Sequence, residues 1–182
     1  MAIETLRPNG AGDETAIDAQ YPVTGSHWEK VDEAVADDAA TTVSTDSSTW
    51  QRDLYNLPSH SVGTGTINKI TVCFRFMQDA SVGHYCKASI KSNSTITDGS
   101  THYNESGDIW YVFSEEWSTN PADGQAWEWN DIDALQIGVS LFGYEDPSYL
   151  SHCTQVYVEV DYTPSAAVPR HAFINFQGPG IF

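Results

Sequence analysis

Alternation with period two is the feature that most constrains this 182-residue chain. In residues 66–77, Ile70, Val72, Phe74 and Phe76 fall on one face and Thr71, Cys73 and Arg75 on the other, the pattern of a strand with one side against a core. The pattern returns in residues 87–91 with Ala88 and Ile90, and in 109–113 with Ile109, Tyr111 and Phe113. It returns again in 135–141 with Leu135, Ile137, Val139 and Leu141, and in 155–162 with Val156, Val158, Val160 and Tyr162. Residues 41–45 and 51–57 are shorter β-compatible stretches, divided by Asp46-Ser47-Ser48 and closed by Pro58. The one helical hint is 130–135, where Asn130 or Asp131 would cap a single turn. Short alternating strands separated by Gly, Asp, Asn and Ser clusters, with no helix-length segments between them, predict an all-β chain: an antiparallel β-sandwich, jelly-roll-like.

The alternation also divides the chain. Residues 1–18 carry turn chemistry in Pro8-Asn9-Gly10-Ala11-Gly12-Asp13 and no periodic apolar face, so they are expected to run as an extended N-terminal arm. Residues 19–164 hold the sandwich. Beyond Pro164, residues 165–170 read as a linker, and residues 165–182 as a whole form a C-terminal tail containing Phe173, Ile174, Phe176, Ile181 and Phe182. An apolar tail cut off from the core stays wet unless it docks somewhere.

Charge excludes several functions. Asp and Glu number 25 against 8 Lys and Arg, a formal net charge of −17, which argues against nucleic acid as a partner. Such a surface keeps a protein soluble, and it also suits a salt-loving host, where screening relieves self-repulsion. No apolar run approaches the length of a membrane helix, so membrane insertion is not expected. Residues 1–8 have neither a basic nor an apolar signal region. Cys73, Cys86 and Cys153 allow at most one bridge within the chain, with Cys86 to Cys153 one pairing.

Four segments carry a resemblance: Ser26-His27-Trp28-Glu29-Lys30-Val31-Asp32-Glu33, Asp53-Leu54-Tyr55-Asn56-Leu57, residues 124–139 around Trp127-Glu128-Trp129-Asn130-Asp131, and Cys153-Thr154-Gln155-Val156-Tyr157-Val158-Glu159-Val160-Asp161-Tyr162. Over residues 25–163 the chain resembles a β-sandwich family common among structural proteins of tailed viruses. The resemblance implies a non-enzymatic virion protein that decorates or builds a capsid or tail surface through contacts with itself and other virion proteins. A homo-oligomer located in the virion is then expected. The arm and the tail would clamp neighbouring subunits by strand addition, with Phe173, Ile174, Phe176, Ile181 and Phe182 as the assembly anchors.

Residues with chemical potential are weighed separately. His84, Cys86, His152 and Cys153 offer the nitrogen and sulfur ligands zinc prefers, but neighbours in a strand point to opposite faces, so no metal site is expected. Asp37-Asp38, Asp131 with Asp133, and Glu145-Asp146 could lend oxygens to a loop calcium, without matching the twelve-residue calcium loop. No cofactor is otherwise expected. Glu115-Glu116 beside Trp117, and Glu128 between Trp127 and Trp129, lack any sign of a cleft for acid catalysis, and no Gly-x-Ser-x-Gly elbow or phosphate-cradling loop occurs. The chain therefore reads as non-catalytic. The alternative to assembly is a carbohydrate-binding or adhesin module with a host surface glycan as its partner, whose platform would draw on Trp110, Trp117 and Trp129, since flat aromatic faces match the apolar faces of sugar rings.

Overall fold

The computed structural model describes residues 1–62, 64–79 and 83–166. Among these residues, eleven strands build two antiparallel sheets. The first sheet contains β1 (Ala2–Leu6), β3 (Ala19–Tyr21), β4 (Thr42–Thr45), β6 (Gly65–Gln78), β9 (Tyr111–Trp117) and β11 (Ser151–Pro164), in the order β3-β4-β11-β6-β9, with β1 also on β11. The second holds β2 (Gly10–Thr15), β5 (Gln51–Asn56), β7 (Tyr85–Ser92), β8 (Thr95–Asp98) and β10 (Gln136–Phe142), in the order β2-β5-β10-β7-β8. Apart from the β7–β8 hairpin, the chain from β4 onward crosses between sheets at every connection, which is the jelly-roll pattern expected from the alternation.

The predicted inward faces of β6, β7, β10 and β11 are the observed ones. Ile70, Val72, Phe74 and Phe76 of β6 and Val156, Val158 and Val160 of β11 oppose Ala88 and Ile90 of β7 and Ile137, Val139 and Leu141 of β10, all fully buried. Removing one such ring, as in Phe74→Ala, typically costs about 3–5 kcal/mol through lost transfer energy and the cavity left behind.

β11 is long enough to serve two neighbours on one edge. Its first three residues pair with β4, and Val158 to Tyr162 pair with β1. Between the two, a bulge at Thr154 changes the parity, so that Cys153 faces the core on one side of it and Val156 on the other. The loop after Lys30 fills the gap: Val156 N–H donates to the Val31 carbonyl, and the Gln155 amide donates to that of Glu33.

Residues 1–18, expected as an arm, are extended but belong to the sandwich. β1 pairs with β11 over five positions, β2 pairs with β5, and Leu6 and Ile17 are core side chains at 5% and 3% exposure. The Gly- and Asp-rich stretch hides this because β2 is a bulged edge strand with little to bury. The helical hint is realised as α1 (Trp129–Asp133), with Glu128 as its N-cap, two residues before Asn130, and with Asp131 reaching back to the Glu128 N–H. β8 was not foreseen, and Ile109 lies outside β9 and is exposed. Residues 167–182, with Phe173, Ile174, Phe176, Ile181 and Phe182, lie outside the described residues.

Candidate functional site

The outer face of the first sheet carries a cleft of about 480 Å³ that crosses its strands. Its floor follows from register. Val43, Cys153 and Phe76 point into the core, so their neighbours Ser44, His152 and Met77, aligned on β4, β11 and β6, point out. Tyr21 rises from β3 at one side and Trp110, just before β9, at the other. Tyr21 is 59% exposed, and the Trp110 ring centre lies 6.4 Å from that of His152.

Polar groups line the same cleft. His152 Nε2 lies 3.0 Å from Asp79 Oδ2, which also accepts the Leu150 N–H at 3.0 Å. Nε2–H donates to the carboxylate, which fixes the orientation of the imidazole. Gln20 is tied by its amide to the carbonyls of Val23 and Gly25, which holds the segment bearing Tyr21. Thr42 and Ser44 add hydroxyls. Two aromatic walls over a floor of hydroxyl, imidazole and carboxylate suit a ligand with apolar faces and a polar perimeter.

The three tryptophans of the expected platform are not brought together. Trp110 and Trp117 mark opposite ends of β9, roughly 20 Å apart at the usual strand rise. Trp117 and Trp129 pack against the core beside Trp127, which donates its indole N–H to the Trp117 carbonyl. The Trp129 indole N–H donates to the Gly65 carbonyl, and its ring stacks on His60. Trp110 alone of the three lines the cleft. The other walls, Tyr21 and Asp79, were missed. Tyr21 opens the aromatic part of the sequence, but its place opposite Trp110 depends on β3 pairing with β4.

The remaining candidates are dispersed. His84, 1% exposed, meets the Ser151 hydroxyl, while Cys86 and Cys153 are buried in the core as free thiols rather than bridged. Burial pushes the Cys86 thiol well above its ordinary range and that of Cys153 up to about 12, so neither is a thiolate near neutrality. Among the described residues no three His, Cys, Asp or Glu side chains converge as a metal site would require. The acidic pairs considered for calcium have protein partners: Asp38 with Arg75, Asp37 with Thr41 and Thr154, Asp133 with His60, Glu145 with Ser48. Glu115 and Glu116 diverge, one to Ser100 and the other to Lys69.

A second aromatic group crosses the outer face of the other sheet. Trp50, Phe142, Tyr85 and Tyr103 follow one another with ring centres 5.5, 5.8 and 6.3 Å apart, and the Lys87 ammonium sits 4.0 Å over Trp50. These rings meet at 55–70°, and so they pack on each other as cross-strand pairs rather than present a common plane.

No family model and no curated protein matches the chain. Among solved structures it is similar to a chain described as "CBM35 from Cellvibrio japonicus Abf62", at 10% identity and a TM-score of 0.47, covering 89% of this chain and 95% of that one. It is also similar to one described as "CBM4 structure and function", at 14% identity and a TM-score of 0.39, covering 71% of this chain and 90% of that one.

Proposed function

We propose that this chain is a non-catalytic carbohydrate-binding module that holds a neutral glycan in the cleft across its first sheet. One observation carries the reading: Tyr21 and Trp110 flank a floor of His152, Ser44 and Thr42, with Asp79 at one end. The rings stack on the apolar faces of sugar residues, and the floor groups and Asp79 meet their hydroxyls. A net charge of −17 disfavours uronic acid and sulfated polymers, and the hydroxyls and aromatic rings of the cleft suit uncharged chains.

Affinity electrophoresis through gels containing soluble neutral polysaccharides tests this. At least one polymer is expected to retard the protein, and Trp110→Ala should remove the retardation. Retardation by none of them, or equal retardation of Trp110→Ala and the parent, contradicts the proposal. The assembly reading rests on the resemblance over residues 25–163 and on an arm and a tail, and the tail anchors Phe173, Ile174, Phe176, Ile181 and Phe182 lie outside the described residues.

A further inference from the structure

The loop from β8 to β9 builds a second cleft, of about 420 Å³, on the flank where the two sheets part. Tyr111 and Phe113 supply one wall. They stand opposite the core residues Phe76 and Phe74 in register and so face inward, yet Tyr111 remains 41% exposed. Tyr103, 55% exposed, and Glu105 supply the other wall.

The rim is held in place by Asn104, which is only 4% exposed. Its amide donates to the Ile109 carbonyl at 2.9 Å, its side-chain oxygen accepts the Ser106 N–H at 2.8 Å, and its own carbonyl accepts the Gln78 amide at 2.7 Å. The amide is therefore committed to the loop. Phe113 stacks on His102 with ring centres 4.8 Å apart, so what is left to meet a ligand is the Tyr103 and Tyr111 rings, the Glu105 carboxylate and the Ser106 hydroxyl, with no Lys or Arg on the lining. Among the described residues the Glu105 carboxylate has no ion-pair partner.

This differs from the first cleft, where the Thr42 and Ser44 hydroxyls and the His152–Asp79 pair suit a polyol. Aromatic faces attract a cation through their quadrupole, and a carboxylate at the rim adds direct charge complementarity. The acidic surface as a whole raises the local concentration of cations. We infer that the cleft between Tyr103 and Tyr111 binds an organic ammonium group, with the rings around its apolar skirt and Glu105 against its charge. The inference does not depend on the carbohydrate reading of the first cleft.

The test is titration of the full chain, followed by tyrosine ring resonances, with choline, with glucosamine and with 3,3-dimethylbutan-1-ol, the neutral isostere of choline. Choline probes a free alkylammonium source and glucosamine an amino-sugar source. Saturable shifts of Tyr103 and Tyr111 by either support the site and say which source it takes. Glu105→Gln, at an exposed position, should weaken the cation about fivefold and leave the isostere unchanged, and Tyr103→Ala should weaken it about tenfold. Trp110→Ala should have no effect. Isostere binding as tight as that of the cations, no saturable shift by either, or undiminished binding by Glu105→Gln overturns the inference.

Discussion

Trp110 and Tyr111 are chain neighbours that serve opposite sides of one sheet, the first lining the outer cleft and the second the flank between the sheets. Aromatic residues dense in sequence are thus separated in space by the strand period alone. A different side chain, Asp53, fixes the interior at the residue scale. It is fully buried, accepts the Ile17 N–H at 3.0 Å and the Tyr55 hydroxyl at 3.2 Å, and lies 2.6 Å from His27 Nδ1. Asp53→Ala strands three polar partners, so it should lower unfolding free energy by about 3–5 kcal/mol, read from denaturant midpoints. A loss below about 1 kcal/mol would mean that water replaces the carboxylate without penalty.

His84 sets a pH dependence. Burial lowers its pKa, with Asp79 opposing and His152 assisting. The unfolded chain then takes up this proton near the ordinary value of about 6.5, while the folded chain resists it. The stability contribution is complete above that value and is lost as pH falls through the folded one. Between about pH 7 and 5, the parent should therefore lose more stability than His84→Gln. Parallel curves for the two would show that another group governs this range.

At the scale of elements, strands with a buried face were legible from the sequence, and of the edge strands only β9 was, through Tyr111 and Phe113. β6, β10 and β11 announce themselves because one side of each is core and the other is not. β1, β2, β3 and β8 do not, since short edge strands bury few side chains and alternate weakly. Bulges were equally invisible. Thr154 inverts the facing of β11, and period two carries no mark of the extra residue. The first cleft was half legible for the same reason: Trp110 was singled out as an aromatic, but its partner Tyr21 sits on β3, an edge strand. Deleting residues 1–18 distinguishes a free arm from integral strands. Loss of β1, β2, Leu6 and Ile17 should abolish the cooperative unfolding transition by circular dichroism, whereas an unchanged transition would restore the arm.

At the scale of the whole molecule, the two sheets bury nearly all their facing apolar residues and leave their outer surfaces to acidic groups and exposed tyrosines. Roughly molar salt shortens the Debye length to about 3 Å, which should raise stability through relief of repulsion while leaving binding of a neutral glycan nearly unchanged. That independence separates stacking and hydrogen bonding from charge attraction. The six tryptophans offer six indole N–H reporters for the claim itself. Trp127 and Trp129 are fixed to backbone carbonyls, and Trp117 is packed on the core. In a nitrogen-15 correlation spectrum titrated with an oligosaccharide of the polymer that retards the protein, the Trp110 resonance is predicted to shift and saturate while those of Trp117, Trp127 and Trp129 stay in place. Saturable shifts at Trp117 or Trp129 with Trp110 unmoved would contradict the account.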